Sequence, residues 1–305
     1  MSELRFDDRV AVITGAGRGL GRAYAELLAA KGAKVVVNDI GGSLKGDGPD
    51  AGPAEEAVEA IKATGGEAMA CTDSVATPEG GRAIIEAAME AYGRIDILIH
   101  NAGNVRRAPL SEMSDEDFNA VLDVHLRGAF HVVRPAFPLM QKAGYGRIVL
   151  TSSDVGLYGN TDTVNYSVSK SGTLGLVNVA AIEGAAHGVK ANAILPAAIT
   201  RMAEGVDTSA FPPMPPERVA PSVGWLAHET CSITGEYLLS VGGRIARAYV
   251  AETRGVFQKE WTIEDVGAQI DSIRNKNDTV TFDVVPTGHF DHLRYSMGMI
   301  KEGGG

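Results

Sequence analysis

The sequence predicts an α/β fold built on a doubly wound parallel sheet of about seven strands, followed by a C-terminal appendage. Two observations predict it. Short apolar, β-branched runs such as residues 10–14 alternate with longer segments whose apolar residues recur at helical spacing. A glycine cluster stands between the first such run and the first helical segment. Strands buried on both faces and connected by helices form parallel sheets, which bind ligands at the carboxyl ends of their strands.

The alternation can be followed through most of the chain. Strands are expected at residues 10–14, 34–38, 66–71, 95–99, 147–152, 190–195 and 237–241. Helices are expected at residues 20–31, 53–64, 79–92, 114–140, 165–186 and 217–227. Pro135 and Pro138 are expected to kink or end the fourth of these helices, because proline lacks an amide hydrogen and clashes with the preceding turn.

The alternation stops near residue 243. We therefore assign residues 1–243 to a main domain and residues 244–305 to an extension packed on it. The extension offers one amphipathic helix near 262–274 and a strand-like run over 280–284.

Composition limits the classes of function. The net charge of −10 argues against a general nucleic-acid binder, since a phosphate backbone is bound by Lys and Arg. The two cysteines, Cys71 and Cys231, are far apart, so neither a disulfide framework nor a metal site is expected. No run approaches the roughly 18 apolar residues that span a bilayer, and neither a secretory signal nor a C-terminal Ser-Lys-Leu is seen. We expect a cytoplasmic protein that binds neither nucleic acid nor membrane.

A glycine-rich turn, Thr14-Gly-Ala-Gly-Arg-Gly-Leu-Gly21, joins the first predicted strand to the first predicted helix. Glycine lets a backbone approach a diphosphate closely, and a helix N-terminus favours the negative charge. Leucine at position 20 departs from the plain Gly-x-Gly-x-x-Gly spacing. We interpret the turn as the diphosphate site of a dinucleotide, with candidate residues Gly15, Arg18, Gly19, Leu20 and Gly21.

Asp39 ends the second predicted strand, where a carboxylate can bind the adenosine ribose hydroxyls. A negative charge there repels a 2′-phosphate, so NAD is predicted rather than NADP. Arg18 is the contrary observation, since a basic side chain in the glycine turn can meet a phosphate. We interpret Arg18 as solvated or as facing the diphosphate.

Polar and small residues also follow the third and fourth predicted strands. Asp73 and Ser74 are candidates to bond the adenine amino group, and the alternative is that they cap the helix that begins near Pro78. Asn101, Ala102 and Gly103 follow the fourth strand, where small residues leave room for a cofactor.

Tyr166 and Lys170 are four residues apart and therefore share one face of a predicted helix. An ammonium close to a phenol lowers the phenol's pKa from about 10 and suits it to general acid–base work. A half-buried tyrosine beside a solvated lysine is the alternative for an isolated pair. Ser153 ends the fifth predicted strand, and its hydroxyl can meet the tyrosine over the same pocket unless it serves only as a turn former.

Together these motifs, in this order and spacing, resemble the short-chain dehydrogenase/reductase family over residues 8–243. The resemblance implies a Rossmann-type NAD-binding and catalytic domain. It implies Tyr166 as catalytic acid/base, Lys170 as the group that lowers its pKa and bonds the nicotinamide ribose, and Ser153 as the group that orients the substrate oxygen. Residues 196–200 match the segment that meets the nicotinamide carboxamide, which implicates Thr200, although alanine stands where the family usually has glycine after the proline.

His125 departs from the family pattern, because it stands where an asparagine usually completes a proton relay to the lysine. Its surroundings, Val-His-Leu-Arg-Gly, are similar to the (3R)-hydroxyacyl-CoA dehydrogenase branch of the family, as are 156–160 and 201–202. We therefore include His125 among the catalytic candidates, against the alternative of a packed core histidine.

The sequence thus predicts an NAD-dependent oxidoreductase that interconverts a secondary alcohol and a ketone, with 3-hydroxyacyl-CoA as favoured substrate. A steroid or other bulky hydrophobic alcohol is the alternative, and a catalytically silent NAD-binding regulator is a third hypothesis. Met202, Phe211 and Met214 are candidates for an apolar lid, or form a mobile loop. Arg106 and Arg107 either meet CoA phosphates or are solvated. A homo-oligomer, dimer or tetramer, is implied by the resemblance alone.

Overall fold

The computed structural model describes residues 3–43, 45–46, 48, 50–203 and 209–303. Its strands are β1 (Val10–Thr14), β2 (Lys34–Asn38), β3 (Glu67–Cys71), β4 (Ile97–His100), β5 (Gly146–Thr151), β6 (Val189–Ala197), β7 (Tyr237–Val241), β8 (Arg244–Ala248), β9 (Ala251–Thr253) and β10 (Thr279–Thr281). Its helices are α1 (Gly19–Ala30), α2 (Gly52–Ala63), α3 (Pro78–Tyr92), α4 (Asp115–Leu122), α5 (Gly128–Ala143), α6 (Val155–Tyr158), α7 (Val164–Gly184), α8 (Ala220–Ala227), α9 (Ile263–Ile273) and α10 (His289–Gly303).

Eight strands form one sheet in the order β3-β2-β1-β4-β5-β6-β7-β8. The strands β1 to β7 are parallel to one another, and β8 pairs antiparallel with β7. The strand order reverses at β1, between β2 and β4, which is where a doubly wound sheet opens a crevice for ligands. The predicted α/β fold with a doubly wound parallel sheet is confirmed.

Alternation along the strands builds a core on each face of the sheet. Ala11 and Ile13 of β1 pack with α1, α2 and α8, whereas Val10 and Val12 pack with α3, α5 and α7. Successive side chains of a strand point to opposite faces, so one short apolar run serves both layers. This is why the strands read as continuous apolar segments.

The two prolines do not end the fourth predicted helix. Helix α5 runs through Pro135 and Pro138 to Ala143. Pro138 is exposed and Pro135 half-buried, and the His131 carbonyl one turn before Pro135 packs against α3, since a Cβ on Gly81 would lie 2.6 Å from its oxygen. The inward residues of the same helix, such as Met140, are fully buried and hold it on the sheet.

The sequence did not predict strand β8. Because β8 pairs with β7, the sheet continues past residue 243, where we expected the main domain to end. A two-residue turn at Gly242 and Gly243 connects it to β7, and both glycines have positive φ (58° and 98°). Such turns favour glycine and match the twist of a hairpin. The helix near 262–274 is confirmed as α9, while the strand-like run over 280–284 pairs only through Thr279–Thr281 with β9.

The C-terminal extension packs against α7 and against the loop before β7. A Cβ on Gly288 would lie 2.9 Å from the Ile182 side chain, and one on Gly235 would lie 3.0 Å from Val284. Within the described residues, no helix is long and apolar enough to cross a membrane.

Candidate active site

A cavity of about 610 Å³ opens at the carboxyl edge of the sheet. It is lined by these residues that the sequence predicted: Gly15, Arg18, Gly19, Leu20, Asp39, Asp73, Ser74, Asn101, Ala102, Gly103, His125, Tyr166, Lys170 and Thr200. Two predicted residues do not line it. Gly21 packs behind the glycine turn, since a Cβ there would lie 2.1 Å from the Gly15 carbonyl oxygen. Ser153 is buried beside the cavity.

The glycine turn leaves the N-terminus of α1 open to the cavity. Gly15 and Gly19 have φ of +63° and +55°, which allow the tight turn, and a Cβ on Gly15 would lie 2.7 Å from Ala102 Cα. No side chain caps α1, and its first turn carries no acidic residue. The first amides of a helix have no intrahelical partner and attract anions. This arrangement fits the diphosphate of a dinucleotide.

Thr14 holds the ends of β1 and β4 together beneath the turn. Its Oγ1 accepts hydrogen bonds from the Asn101 and Ala102 amides, at 3.0 and 3.1 Å, and lies 3.0 Å from His100 Nδ1. The Asn101 side-chain amide donates to the Gly15 carbonyl at 3.1 Å. Asn101 therefore positions the turn, and the floor of the cavity is rigid.

Asp39 is anchored through both of its carboxylate oxygens. Oδ2 accepts from the Gly17 amide at 2.9 Å, and Oδ1 accepts from the Gly41 amide at 2.7 Å. Each oxygen keeps further acceptor capacity toward the cavity. Two adjacent ribose hydroxyls could donate hydrogen bonds to this carboxylate.

Asp73 and Ser74 line the cavity and do not cap a helix. The N-cap of α3 is Thr77, whose side chain accepts from the Gly80 amide at 3.1 Å. Ser74 Oγ accepts from the Ala76 amide at 3.2 Å and holds the turn in place. The cap hypothesis for this pair is therefore wrong, and the adenine hypothesis stays a prediction.

Lys170 is a buried lysine beneath the cavity, with 2% of its surface exposed. Its ammonium donates to the Thr151 carbonyl at the end of β5, and Ser152 Oγ donates to the Lys170 carbonyl at 2.7 Å. Burial lowers the pKa of Lys170 to about 7. Near neutral pH the charged and neutral forms of its amine are therefore similar in free energy.

Tyr166 lies beside Lys170, whose Nζ is 5.5 Å from the centre of the phenol ring. The Ser153 hydroxyl lowers the pKa of Tyr166, but burial has the larger effect and raises it. This direction is opposite to the predicted one. The reason is that the phenol is itself desolvated by burial, and that Lys170 lies over the ring rather than at the hydroxyl.

Ser153 is held in place by its own loop. Its Oγ donates to the Asp154 carboxylate at 3.0 Å and accepts from the Val155 amide at 3.1 Å. A hydrogen bond from the Ser153 hydroxyl also lowers the pKa of Tyr166, against the larger effect of burial, so the fold brings these two predicted residues together.

His125 lies in a π-helical turn, Asp123–Arg127, that separates α4 from α5. Its ring packs edge-on against Tyr166 with 5.2 Å between ring centres, and a Cβ on Gly103 would lie 2.4 Å from its Cε1. Nε2 lies 3.1 Å from the Asn104 amide nitrogen and 2.9 Å from its carbonyl oxygen. Burial and the charge of Lys170 lower the pKa of His125, so the ring is neutral.

The apolar residues Met202, Phe211 and Met214 all line the cavity. Arg106 is less available than predicted, because it pairs with Asp117 at 2.9 Å and donates to the Lys45 carbonyl at 3.3 Å. It therefore joins the loop after β2 to α4, while Arg107 is exposed.

Sequence reasoning missed several residues of the cavity. Asn104, Thr151 and Arg201 line it. His100 lies just below it, and burial and the charge of Lys170 lower its pKa to about 3. Arg201 directly follows the segment that ends at Thr200, which was the available signal. The others carry no local pattern that distinguishes them from structural residues.

An uncapped glycine turn at the strand-order reversal and a tyrosine–lysine pair at the same sheet edge define a dinucleotide-dependent oxidoreductase of the α/β class. The family model described as short chain dehydrogenase matches residues 9–209. The chain belongs to the short-chain dehydrogenase family.

Three comparisons locate the chain among its relatives. It is 42% identical over 311 aligned residues to "Peroxisomal multifunctional enzyme type 2" of Drosophila melanogaster, covering 99% of this chain and 51% of that protein. The solved full-length structure of that enzyme matches 98% of this chain and 50% of its own, with a TM-score of 0.81 and 36% identity. A short chain dehydrogenase from Mycobacterium avium matches 93% of this chain and 99% of its own, with a TM-score of 0.78 and 37% identity. The chain thus spans about half the length of the Drosophila enzyme.

Proposed function

We propose that this chain is an NAD-dependent dehydrogenase that interconverts a 3-hydroxyacyl-CoA and the corresponding 3-ketoacyl-CoA. The observation that carries the proposal is that Tyr166, paired with the buried Lys170, and the open glycine turn line one and the same cavity. A dinucleotide bound by its diphosphate at the turn would bring its nicotinamide into the cavity that Tyr166 lines. The acyl-CoA class is favoured by similarity to a multifunctional enzyme named as peroxisomal and by the apolar residues Met202, Phe211 and Met214 around the cavity.

Tyr166 is the proposed acid/base. In the oxidation direction its phenolate takes the proton of the substrate hydroxyl, and in reduction its phenol returns it. Ser153 holds the substrate oxygen beside that phenol. The bound oxidised nicotinamide supplies the acceptor for the hydride and a positive charge that, with protonated Lys170, favours the phenolate.

His125 is proposed to stand in for the relay asparagine. Its Nδ1 is buried and has no hydrogen-bond partner within the described residues. A neutral imidazole can accept a proton at one nitrogen and release one from the other, so His125 is proposed to relay protons between Lys170 and water in the cavity that both residues line. Its contact with Tyr166 places this function beside the acid/base group.

The proposed cofactor is NAD. The carboxylate of Asp39 is held by the Gly17 and Gly41 amides. It supports this choice because its negative charge would repel the 2′-phosphate of NADP.

Substitution Asp39→Asn removes that charge while keeping the size of the side chain. We expect the ratio of kcat/KM for NADP to kcat/KM for NAD to rise by about tenfold or more. Steady-state kinetics with both cofactors measures the ratio. Asp50→Asn, on the same loop but outside the cavity lining, is the control and is expected to leave the ratio unchanged. An unchanged ratio in Asp39→Asn contradicts the assignment of Asp39.

The substrate class is tested by turnover. With NAD, we expect kcat/KM for 3-hydroxyacyl-CoA thioesters to exceed that for steroid alcohols by about tenfold or more, because thioester and acyl chain both gain contacts in the cavity. The same 3-hydroxyacyl group on a short thiol in place of CoA is the control and separates recognition of the acyl chain from recognition of CoA.

Two other results define the alternatives. Faster turnover of steroid alcohols identifies a dehydrogenase of bulky alcohols. Binding of NADH with no turnover of either class identifies a silent NAD-binding regulator. A cytoplasmic location and a dimeric or tetrameric homo-oligomer belong to the proposal as the sequence predicted them.

A further inference from the structure

Arg201 connects two loops across the mouth of the cavity. It lies in the short turn Arg201–Ala203 after β6, and its Nη1 donates to the Gly42 carbonyl in the loop after β2, at 3.1 Å. Arg201 and Arg18 both line the cavity. A guanidinium has five donors, and the bond to Gly42, which is the one that the Arg201 side chain makes to the described residues, leaves others available.

Arg18 acts electrostatically on Arg201. Burial and the charge of Arg18 lower the pKa of Arg201, while Asp39 raises it. Neither guanidinium has a carboxylate within salt-bridge distance in the described part of the chain. Two cations in one cavity without ion pairs are stabilised by a bound anion, and guanidinium groups bind phosphate in a bidentate manner.

The position of the turn identifies which anion this is. The residue before Arg201, Thr200, lies over the glycine turn, since a Cβ on Gly19 would be 3.4 Å from Thr200 Cγ2. That turn presents the uncapped amides of α1. Asp39 on the ribose side repels a second phosphate, so the diphosphate is favoured over a 2′-phosphate.

We propose that Arg201, together with Arg18, binds the phosphate oxygens of the dinucleotide's diphosphate from the segment that follows β6. The proposal rests on the proposed use of a dinucleotide. Arg201 is then a cofactor-binding residue, and its bond to Gly42 joins the loops after β2 and β6 over the bound diphosphate.

The test measures binding rather than turnover. The Arg201→Met variant of the whole 305-residue chain is titrated by calorimetry with NAD, with ADP and with adenosine, which lacks phosphate. NADP and 2′,5′-ADP are titrated in the same way, because they carry a 2′-phosphate. We expect the Kd for NAD and ADP to rise about tenfold or more, as for the loss of a charge-assisted bond to phosphate, and the Kd for adenosine to stay within twofold of the wild type. Arg218→Met is the matched control, because Arg218 lies further along the same segment, donates to the Pro213 carbonyl at 2.7 Å and does not line the cavity.

The other outcomes overturn the proposal in distinguishable ways. Equal weakening of adenosine and ADP means that Arg201 only fastens the loop through Gly42. Weakening of NADP and 2′,5′-ADP alone identifies a 2′-phosphate site. Wild-type binding of NAD by Arg201→Met refutes the assignment but leaves the proposed function intact, whereas a wild-type protein that binds no dinucleotide refutes the proposed function itself.

Discussion

Replacement of Tyr166 by phenylalanine is expected to lower kcat by about 10²–10⁴-fold, the usual contribution of a positioned acid or base. The substitution removes only the hydroxyl, while the ring still packs against His125. The Kd for NADH is therefore expected to stay close to the wild-type value. Steady-state turnover of a 3-hydroxyacyl-CoA and fluorescence titration of NADH measure the two quantities separately.

Tyr158→Phe is the matched control for this experiment. Tyr158 lies close by in sequence but is 81% exposed at the end of α6, so loss of its hydroxyl is expected to leave kcat unchanged. Wild-type turnover by Tyr166→Phe contradicts the acid/base assignment. A collapse of both kcat and NADH binding indicates instead that the tyrosine hydroxyl organises the cavity.

Lys170→Met is expected to change how stability depends on pH. The pKa of Lys170 falls from 10.5 to about 7 in the folded protein. Between these two pH values the unfolded chain binds more protons at this lysine than the folded protein does. The free energy of unfolding of the wild type therefore rises with pH, and the variant lacks the part of this rise that is due to Lys170. The free energy of unfolding of the wild type, relative to Lys170→Met, is expected to increase by about 2 kcal/mol between about pH 7 and about pH 9.

The neighbours of Lys170 do not obscure this window. His100 and His125 are both neutral there, since burial lowers their pKa values below the ordinary range. Burial raises the pKa of Tyr166 above 10, so the phenol stays protonated. Urea unfolding of the cofactor-free protein at several pH values gives the free energies. Lys62→Met, at an exposed position of α2, is the control and is expected to differ from the wild type by a constant amount. If the free energies of unfolding of the wild type and Lys170→Met differ by the same amount at every pH, the ammonium of Lys170 stays charged in the folded wild type.

Local patterns were sufficient to predict most of the fold. The strands β1 to β7 and the helices between them were recognised because a strand buried on both faces is apolar throughout, whereas its connecting helix is apolar on one side. The edge strand β8 was missed because Arg244–Ala248 alternates and is half exposed, so it carries no run of apolar residues. The predicted helix end at Pro135 or Pro138 is wrong because the buried face of α5 packs on the sheet and holds the helix through to Ala143.

Some residues of the candidate site could be predicted from the sequence and others could not. The glycines before α1 and the carboxylate that follows β2 could be predicted, because the turn and the ribose each need a particular residue type at a fixed position. Arg201 leaves only one signal in the sequence, its position after the segment that ends at Thr200, because its contacts with Gly42 and Arg18 join residues that are distant in sequence and close only in the fold.

The sequence by itself determined the α/β class, the family and the residues of the tyrosine–lysine pair, since these follow from periodicity and from chemistry that needs particular residue types at fixed spacings. Only the tertiary structure decided the electrostatics of that pair. Desolvation depends on everything packed around Tyr166 and Lys170, and it reverses the predicted direction of the tyrosine pKa. The π-helical turn that brings His125 against Tyr166 was likewise decided by packing, because its five residues carry no pattern that separates them from an α-helix.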